Sequence, residues 1–332
     1  MNSATLASLS NLLVPTATIV YGLAMLAHAV EWASGLRVVK KAEVEPKVLV
    51  AADGSEVLDS PADAPPAGDA SDEDAASSLR GEQASRVGVL LTVLAFVLHF
   101  GGVLTRGLAA GRVPWGNMYE FSITASLAVA IVYLALLKRQ RLQWLGLGVT
   151  FVITAALGIA VLAFYVPAGE LLPALHSYWL VIHVSAAAIA GGGFTLGGLA
   201  SVLFLIKSRA EARAVAGKPM PAALRRVPTA ERIDAVAYKV HAFSFPIWTF
   251  GVLVAGPIWA YYAWGRAWGW DPKEVWSLVT WVVYAAYLHA RATAGWRGRR
   301  AAWVAIAGWV VFLFNFVGVN LLLSGFHAYS GL

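Results

Sequence analysis

The chain has 332 residues, 59% of them hydrophobic and 13% charged, with a mean hydropathy of +0.66, 14 Trp and no Cys. Soluble domains average about 45–50% apolar and about 25% charged residues, so a soluble globular enzyme and a disordered chain are both excluded. The lack of Cys removes disulfide scaffolds, thiol nucleophiles, CxxC redox sites, zinc fingers and iron–sulfur clusters, which leaves a multi-span membrane protein. The net charge of +6 reads as a topology label rather than a nucleic-acid footprint, because no basic stripe interleaved with aromatics lies in a soluble domain.

Eight apolar stretches are long enough to cross a hydrocarbon core of about 30 Å, which takes about 20 helical residues. They run approximately over 11–33, 87–105, 118–137, 142–166, 178–206, 240–263, 275–291 and 302–323. The runs are continuously apolar rather than alternating, so the expected fold class is an all-α integral membrane protein. The first stretch lacks a basic n-region and a small-residue cleavage site, and is expected to be a retained helix. Residues 34–85 form the expected second unit, a disordered cytoplasmic insertion. Ala, Asp, Pro and Ser dominate 42–84, which holds more than half of the 19 acidic residues and cannot bury enough apolar surface to offset its ordering entropy. Residues 86–332 are the expected seven-helix membrane domain.

All of the 25 Lys and Arg except Arg106, Arg112, Arg266 and Lys273 fall on one set of loops. That set is expected to be cytoplasmic, and eight spans then put both termini outside. The chemistry-bearing segments fall on the outer side or within the helices. The strongest is 259–276, with Trp259, Tyr261, Tyr262, Trp264, Arg266, Trp268, Trp270, Asp271, Lys273, Glu274 and Trp276. An interfacial aromatic belt accounts for one or two Trp at a helix end, not for W-x-x-x-W-x-W-D-P-K-E. Pro272 takes Asp271 out of the α region and opens the next helix, so Asp271 sits at a helix N-terminus. The segment is expected to make a flat aromatic platform with one carboxylate and two cations (Arg266, Lys273), suited to a large planar ligand with anionic arms.

Ionisable residues inside spans are functional hypotheses by default. His183 lies about 8 Å below the outer edge of the fifth span at 1.5 Å per residue, and His327 follows the last span on the same side. Two imidazoles flanking an aromatic platform are natural axial ligands for a haem iron. His289, at the inner end of the seventh span, is a candidate for a second, deeper site. His28 and His99 are either packed core histidines or ligands, and His176 and His241 are expected to be interfacial. In the third span's entry, Asn117 is an expected N-cap, and Glu120 needs Arg112 or Arg106 as partner. The Gly191–Gly193 run and Gly197 are expected to let helices approach closely.

Trp264-Gly-x-x-Trp268-x-Trp270-Asp271-Pro-Lys-Glu274-x-Trp276, with Thr280-Trp281 and Tyr287-Leu288-His289-x-Arg291, resembles the WWD-domain haem-handling proteins of the CcsA/ResC branch (CcsB in some bacteria) of System II cytochrome c biogenesis. Pro114-x-x-Asn117-Met-Tyr119-Glu120, Ser177-Tyr-Trp179-Leu-x-x-His183-Val and Asn320-Leu-Leu with Gly325-Phe-His327-x-Tyr extend the likeness from about residue 87 to the end. His176 stands where a Gln would be expected, and no role is carried onto it. The resemblance implies that haem b is carried to the outer face of a bacterial plasma membrane and attached to the CxxCH cysteines of apocytochrome c. That is a holocytochrome c synthase activity, exerted with a ResB-type membrane partner. A thioredoxin-like thiol reductant is a further candidate partner. By the same resemblance His183 and His327 are the outer-face haem ligands, the Trp-rich loop with Asp271 the haem platform, and His289 the intramembrane histidine, whose mate comes from the partner. A haem-delivery chaperone without ligase activity and a small-molecule exporter with an aromatic gate are the alternative functions.

The Cys-free background suits topology mapping. In spheroplasts, Ala267→Cys in the Trp-rich loop is expected to react with an impermeant maleimide, and Gly217→Cys only after lysis. Labelling of Gly217→Cys in intact spheroplasts would reverse the orientation.

Overall fold

The computed structural model describes residues 1–34, 48–50, 56–58, 68–169, 177–293 and 295–327, with side chains of 48–50, 56–58 and 68–78 not described. The architecture is an all-helical bundle. Seven helical segments in it are long and apolar enough to cross a membrane. Helix α1 (Ser3–Ala33) starts from Asn2, whose side chain accepts the Thr5 N–H at 2.8 Å. It pairs along most of its length with α2 (Gly68–Ala110) and leans on α4 (Gly146–Ala163). Helix α3 (Met118–Gln140) and α5 (Tyr178–Val215) follow the same pattern of a polar N-cap, Asn117 and Ser177, before a long apolar run. A four-residue α6 (Ala222–Arg225) precedes α7 (Ala230–Trp248), which continues into α8 (Gly256–Trp264). Helix α9 (Pro272–Ala292) and α10 (Arg299–Leu313), the latter extended by α11 (Val319–Leu322), complete the bundle.

Of the 34–85 segment, Val48–Val50 and Glu56–Leu58 pair as a short antiparallel ribbon, and the backbone from Gly68 onward belongs to α2. The rest of the segment, over which disorder is expected from composition, lies outside the described residues.

The seventh expected span, 275–291, is a 21-residue helix but is not among the seven apolar ones. Its buried face carries Glu274, Ser277, Thr280, Tyr284 and Tyr287 at helical spacing. Polar groups facing inward are tolerated in a bundle where a lipid-facing position would not accept them. The helix is therefore amphipathic with its polar side in, and α10 and α7 pack against it.

Helix α5 is the centre of the bundle, because its glycine stripe lets neighbours approach its backbone. A Cβ on Gly192 would come within 2.9 Å of the Ala128 carbonyl of α3, and one on Gly193 would collide with the Ser244 hydroxyl of α7. This is the small-residue packing that membrane helices use in place of a hydrophobic driving force. His241, expected at an interface, is instead fully buried in α7. Its ring sits 5.1 Å from Tyr284 and 5.0 Å from Tyr287, in space that Gly197 leaves open. His99 is a packed core histidine with Nε2 donating to the Ile123 carbonyl at 2.8 Å. His28 is also fully buried, 3.0 Å from Glu31.

At the end of the bundle where α2 ends and α3 begins, Glu120 is fully buried between Arg106 (2.9 Å) and Arg112 (2.7 Å). The same guanidinium groups donate to the Val166 and Gly169 carbonyls beyond α4. Both arginines expected as partners of Glu120 are thus engaged at once, and they tie three connections together. Replacing Glu120 with Ala would leave two guanidiniums uncompensated, which costs about 3–5 kcal/mol for a broken buried pair. A lower thermal unfolding midpoint in detergent is the expected outcome, with a smaller loss for Glu120→Gln, and an unchanged midpoint would show that the clamp carries no stability.

Candidate functional site

Four chain segments meet at the same end of the bundle: the start of α5, the end of α8 with the loop after it, the start of α9, and the stretch after α11. His183 comes from the first turns of α5 and His327 from the last segment. Together with Trp259, Trp268, Lys273 and Ser277 they line a cavity of about 30 Å3.

Both imidazoles are oriented by an acceptor on Nδ1. His183 Nδ1 donates to the Gly251 carbonyl at 2.7 Å, within the π-helical turn Thr249–Ala255 that joins α7 to α8. Pro257 follows that turn and has no N–H with which to continue an ordinary helical ladder. His327 Nδ1 donates to Asp271 Oδ1 at 2.9 Å. With the proton on Nδ1 in each ring, Nε2 keeps its lone pair, the arrangement found behind metal-ligating histidines. Trp259 joins the pair. It stacks 5.8 Å from His183 at 12° and lies 5.5 Å from His327.

Asp271 is the N-cap of α9 and is 5% exposed. Its carboxylate accepts from His327, from the Lys273 N–H at 3.0 Å and from the Phe326 N–H at 2.6 Å. Burial works to raise its pKa, but the hydrogen bond and charge of His327, together with the two amides, outweigh it and hold the carboxyl below the usual range. Gly325 is required here, since a Cβ would run into the Asp271 carboxylate.

Glu274 completes the capping box of α9. Its Oε2 accepts from the Gly269 N–H at 2.8 Å and the Asp271 N–H at 3.1 Å. These amides flank Trp270, which has φ +57° and is 71% exposed. A bulky residue in the left-handed region costs about 1–3 kcal/mol and persists only where neighbours enforce it. Glu274 supplies that enforcement.

The expected flat platform is not flat. Trp268 and Trp270 meet at 88°, and Trp259 and Trp264 at 64°, the edge-on geometry that ring quadrupoles favour. Trp264 lies 4.9 Å from His327. Trp276 does not line the cavity but packs on Phe314 at 4.4 Å. Arg266 sits over the Phe326 ring at 4.4 Å, so it staples the loop to the last segment. Lys273 turns inward. Its Nζ donates to the Asn315 carbonyl at 2.7 Å and approaches that of Phe316 at 3.4 Å, both in the π-helical turn Phe314–Gly318 between α10 and α11. His289 is far along α9, exposed on its outward face, and the structure does not bring it to this cavity or to His28. His176 lies outside the described residues. The residues that sequence reasoning left out of the site are Trp259, which stands in the same aromatic run, and Glu274, whose place three residues after an Asp N-cap is the signature of a capping box.

The imidazole pair thus sits in an aromatic cleft at one end of a multi-pass helical bundle. A family model described as cytochrome C assembly protein matches residues 115–327, from the entry to α3 through His327. The chain is similar to three proteins named cytochrome c biogenesis protein CcsA. That of Synechococcus sp. (strain JA-3-3Ab) is 32% identical over 297 residues, covering 74% of this chain and 84% of the relative. That of Synechococcus elongatus is 35% identical over 268 residues, covering 68% and 81%. That of Porphyra purpurea is 32% identical over 282 residues, covering 75% and 88%. The chain belongs to the cytochrome c assembly protein family, in its CcsA branch, and acts in cytochrome c biogenesis.

Glu274→Ala strands the buried Asp271 amide and the part-buried Gly269 amide, at about 1–3 kcal/mol for an unsatisfied buried group. Faster hydrogen exchange at the amides of Gly269 and Asp271 is the expected result, and unchanged protection there would remove Glu274 from its role in holding Trp270.

Proposed function

We propose that this protein presents haem b on the extracytoplasmic face of a bacterial plasma membrane and takes part in attaching it to the CxxCH cysteines of apocytochrome c, working with a ResB-type partner. The observation that supports this reading most directly is the pair His183 and His327, each with Nδ1–H satisfied and Nε2 left for iron, lining one cavity. Two imidazoles suit an iron whose equatorial positions a macrocycle fills. The aromatic walls Trp259 and Trp268 suit the faces and edges of that macrocycle. A cavity of about 30 Å3 is smaller than ligand pockets of about 300–1,000 Å3, so the Trp loop and the 323–327 segment must part to admit the cargo.

The chemistry asks for alignment. Each thiol adds across a vinyl double bond: the S–C bond forms, the thiol hydrogen passes to the other vinyl carbon, and nothing leaves. Holding the macrocycle between the two imidazoles supplies the proximity term, about 7–11 kcal/mol at best. Asp271 acts through His327, fixing its tautomer and aim. The histidine of CxxCH then replaces one imidazole and releases the product. The absence of Cys from this chain leaves the incoming cysteines without a competitor for the vinyl groups, and a thioredoxin-like reductant would keep those cysteines reduced. His289, exposed on the outward face of α9, would ligate haem jointly with a histidine of the partner.

Protein purified with its partner from haem-replete cells is expected to carry haem with a bis-imidazole spectrum. His183→Ala and His327→Ala should each lose that signature, and Asp271→Asn should weaken it, since loss of an outer-shell partner costs about 10–100-fold in metal affinity. Haem-free wild-type protein would overturn the reading. Covalent holocytochrome formed on co-expression in a host lacking its own pathway separates ligation from delivery alone.

A further inference from the structure

Lys273 stands on the wall of the cavity that holds His183 and His327, yet its ammonium is tied elsewhere. Nζ donates to the main-chain carbonyls of Asn315 and Phe316. These belong to a π-helical turn, whose i→i+5 pattern widens the helix and turns carbonyls aside. Among the described residues no carboxylate lies within ion-pair distance of it. The two nearest in sequence are occupied: Asp271 by His327 and by the Lys273 and Phe326 amides, Glu274 by the Gly269 and Asp271 amides. Both carboxylates thus face amides or imidazole, and the cation is fixed in place by neutral dipoles. A lysine meant to grasp a mobile anionic arm would keep its ammonium free to swing, and this one is anchored.

We propose that Lys273 is an electrostatic positioning residue that raises the reduction potential of the iron held by His183 and His327. The inference rests on the haem reading of the cavity. A fixed positive charge beside a metal centre, in a medium of low effective dielectric, favours the redox state with the smaller positive charge, which is the ferrous one. Bis-imidazole ligation lacks the thioether ligand that raises haem potentials, so a charge supplied by the protein is one local means of holding the cargo reduced. Its anchorage to the π turn keeps the charge at a constant place while the loop and the 323–327 segment move.

Burial lowers the Lys273 pKa to about 7, so spectroelectrochemical titration of the haem-loaded protein at a pH below that value, and at one ionic strength, tests this with three variants. Lys273→Gln keeps a donor for the two carbonyls and removes the charge, Lys273→Met removes both, and Lys273→Arg keeps the charge. The midpoint is expected to move to lower potential in Lys273→Gln and Lys273→Met, with the bis-imidazole spectrum intact, and to stay near the wild-type value in Lys273→Arg. An unchanged midpoint in Lys273→Gln, again with the bis-imidazole spectrum intact, overturns the proposal and leaves Lys273 as an anchor of the π turn. A fall in midpoint equally large in Lys273→Arg overturns it as well, since charge would then not be the cause. If the wild type binds no bis-imidazole haem, the reading of the site fails first, and that result is distinct from an unshifted potential.

Discussion

The carboxylate of Asp271 is the junction on which this end of the molecule depends. It caps α9, accepts the Phe326 N–H and holds His327 by Nδ1, so one side chain sets a helix start, the path of the last segment and the tautomer of an imidazole. Burial alone would push such a carboxyl toward its neutral form. Its three donors reverse that and keep it anionic, which is the form that can orient an imidazole N–H. Gly325 and Gly269 follow from the same constraint. The first clears space for the carboxylate, and the second lies against the Arg266 guanidinium that bridges to Phe326.

Around this junction the helices depart from regularity in two places, and both departures serve a side chain of the site. The π turn at Thr249–Ala255 offers the Gly251 carbonyl to His183, and the one at Phe314–Gly318 offers two carbonyls to Lys273. In a membrane every main-chain group freed from a helix needs a partner within the protein. The irregular turns are stable here because a histidine and a lysine are buried against them, and those side chains are fixed because the turns are irregular. The Glu120 clamp does comparable work further out. It fixes the connections beside the site, and Met118, two residues before it, touches Asn320 of α11 through a 3.7 Å contact.

Much of this was legible in the residues themselves. A Pro after an Asp marks a helix start, an Asn three residues before Glu120 marks another, and the apolar runs mark the membrane helices. The pairing of His183 with His327 at one end of the bundle follows from counting spans. The flatness of the Trp cluster did not follow, because ring–ring angles are set by packing and not by spacing. Nor did the burial of His241, since the glycines that make room for it lie on another helix. Helix α9 reads as a plain apolar span only while its inward polar stripe, Ser277, Thr280, Tyr284 and Tyr287, is averaged with its outward-facing residues.

By itself the sequence determined a charge-poor, Cys-free, Trp-rich bundle of membrane helices, because hydropathy and the distribution of Lys and Arg depend only on local composition. It also singled out the candidate site residues, because ionisable and aromatic side chains at a helix end stand out against an apolar background. The tertiary structure alone decided which nitrogen of each imidazole is held, which Trp faces the cavity and where the Lys273 ammonium is anchored. Those are contacts between residues tens of positions apart, made through a carboxylate and through main-chain carbonyls of irregular turns, and no pattern along the chain encodes them.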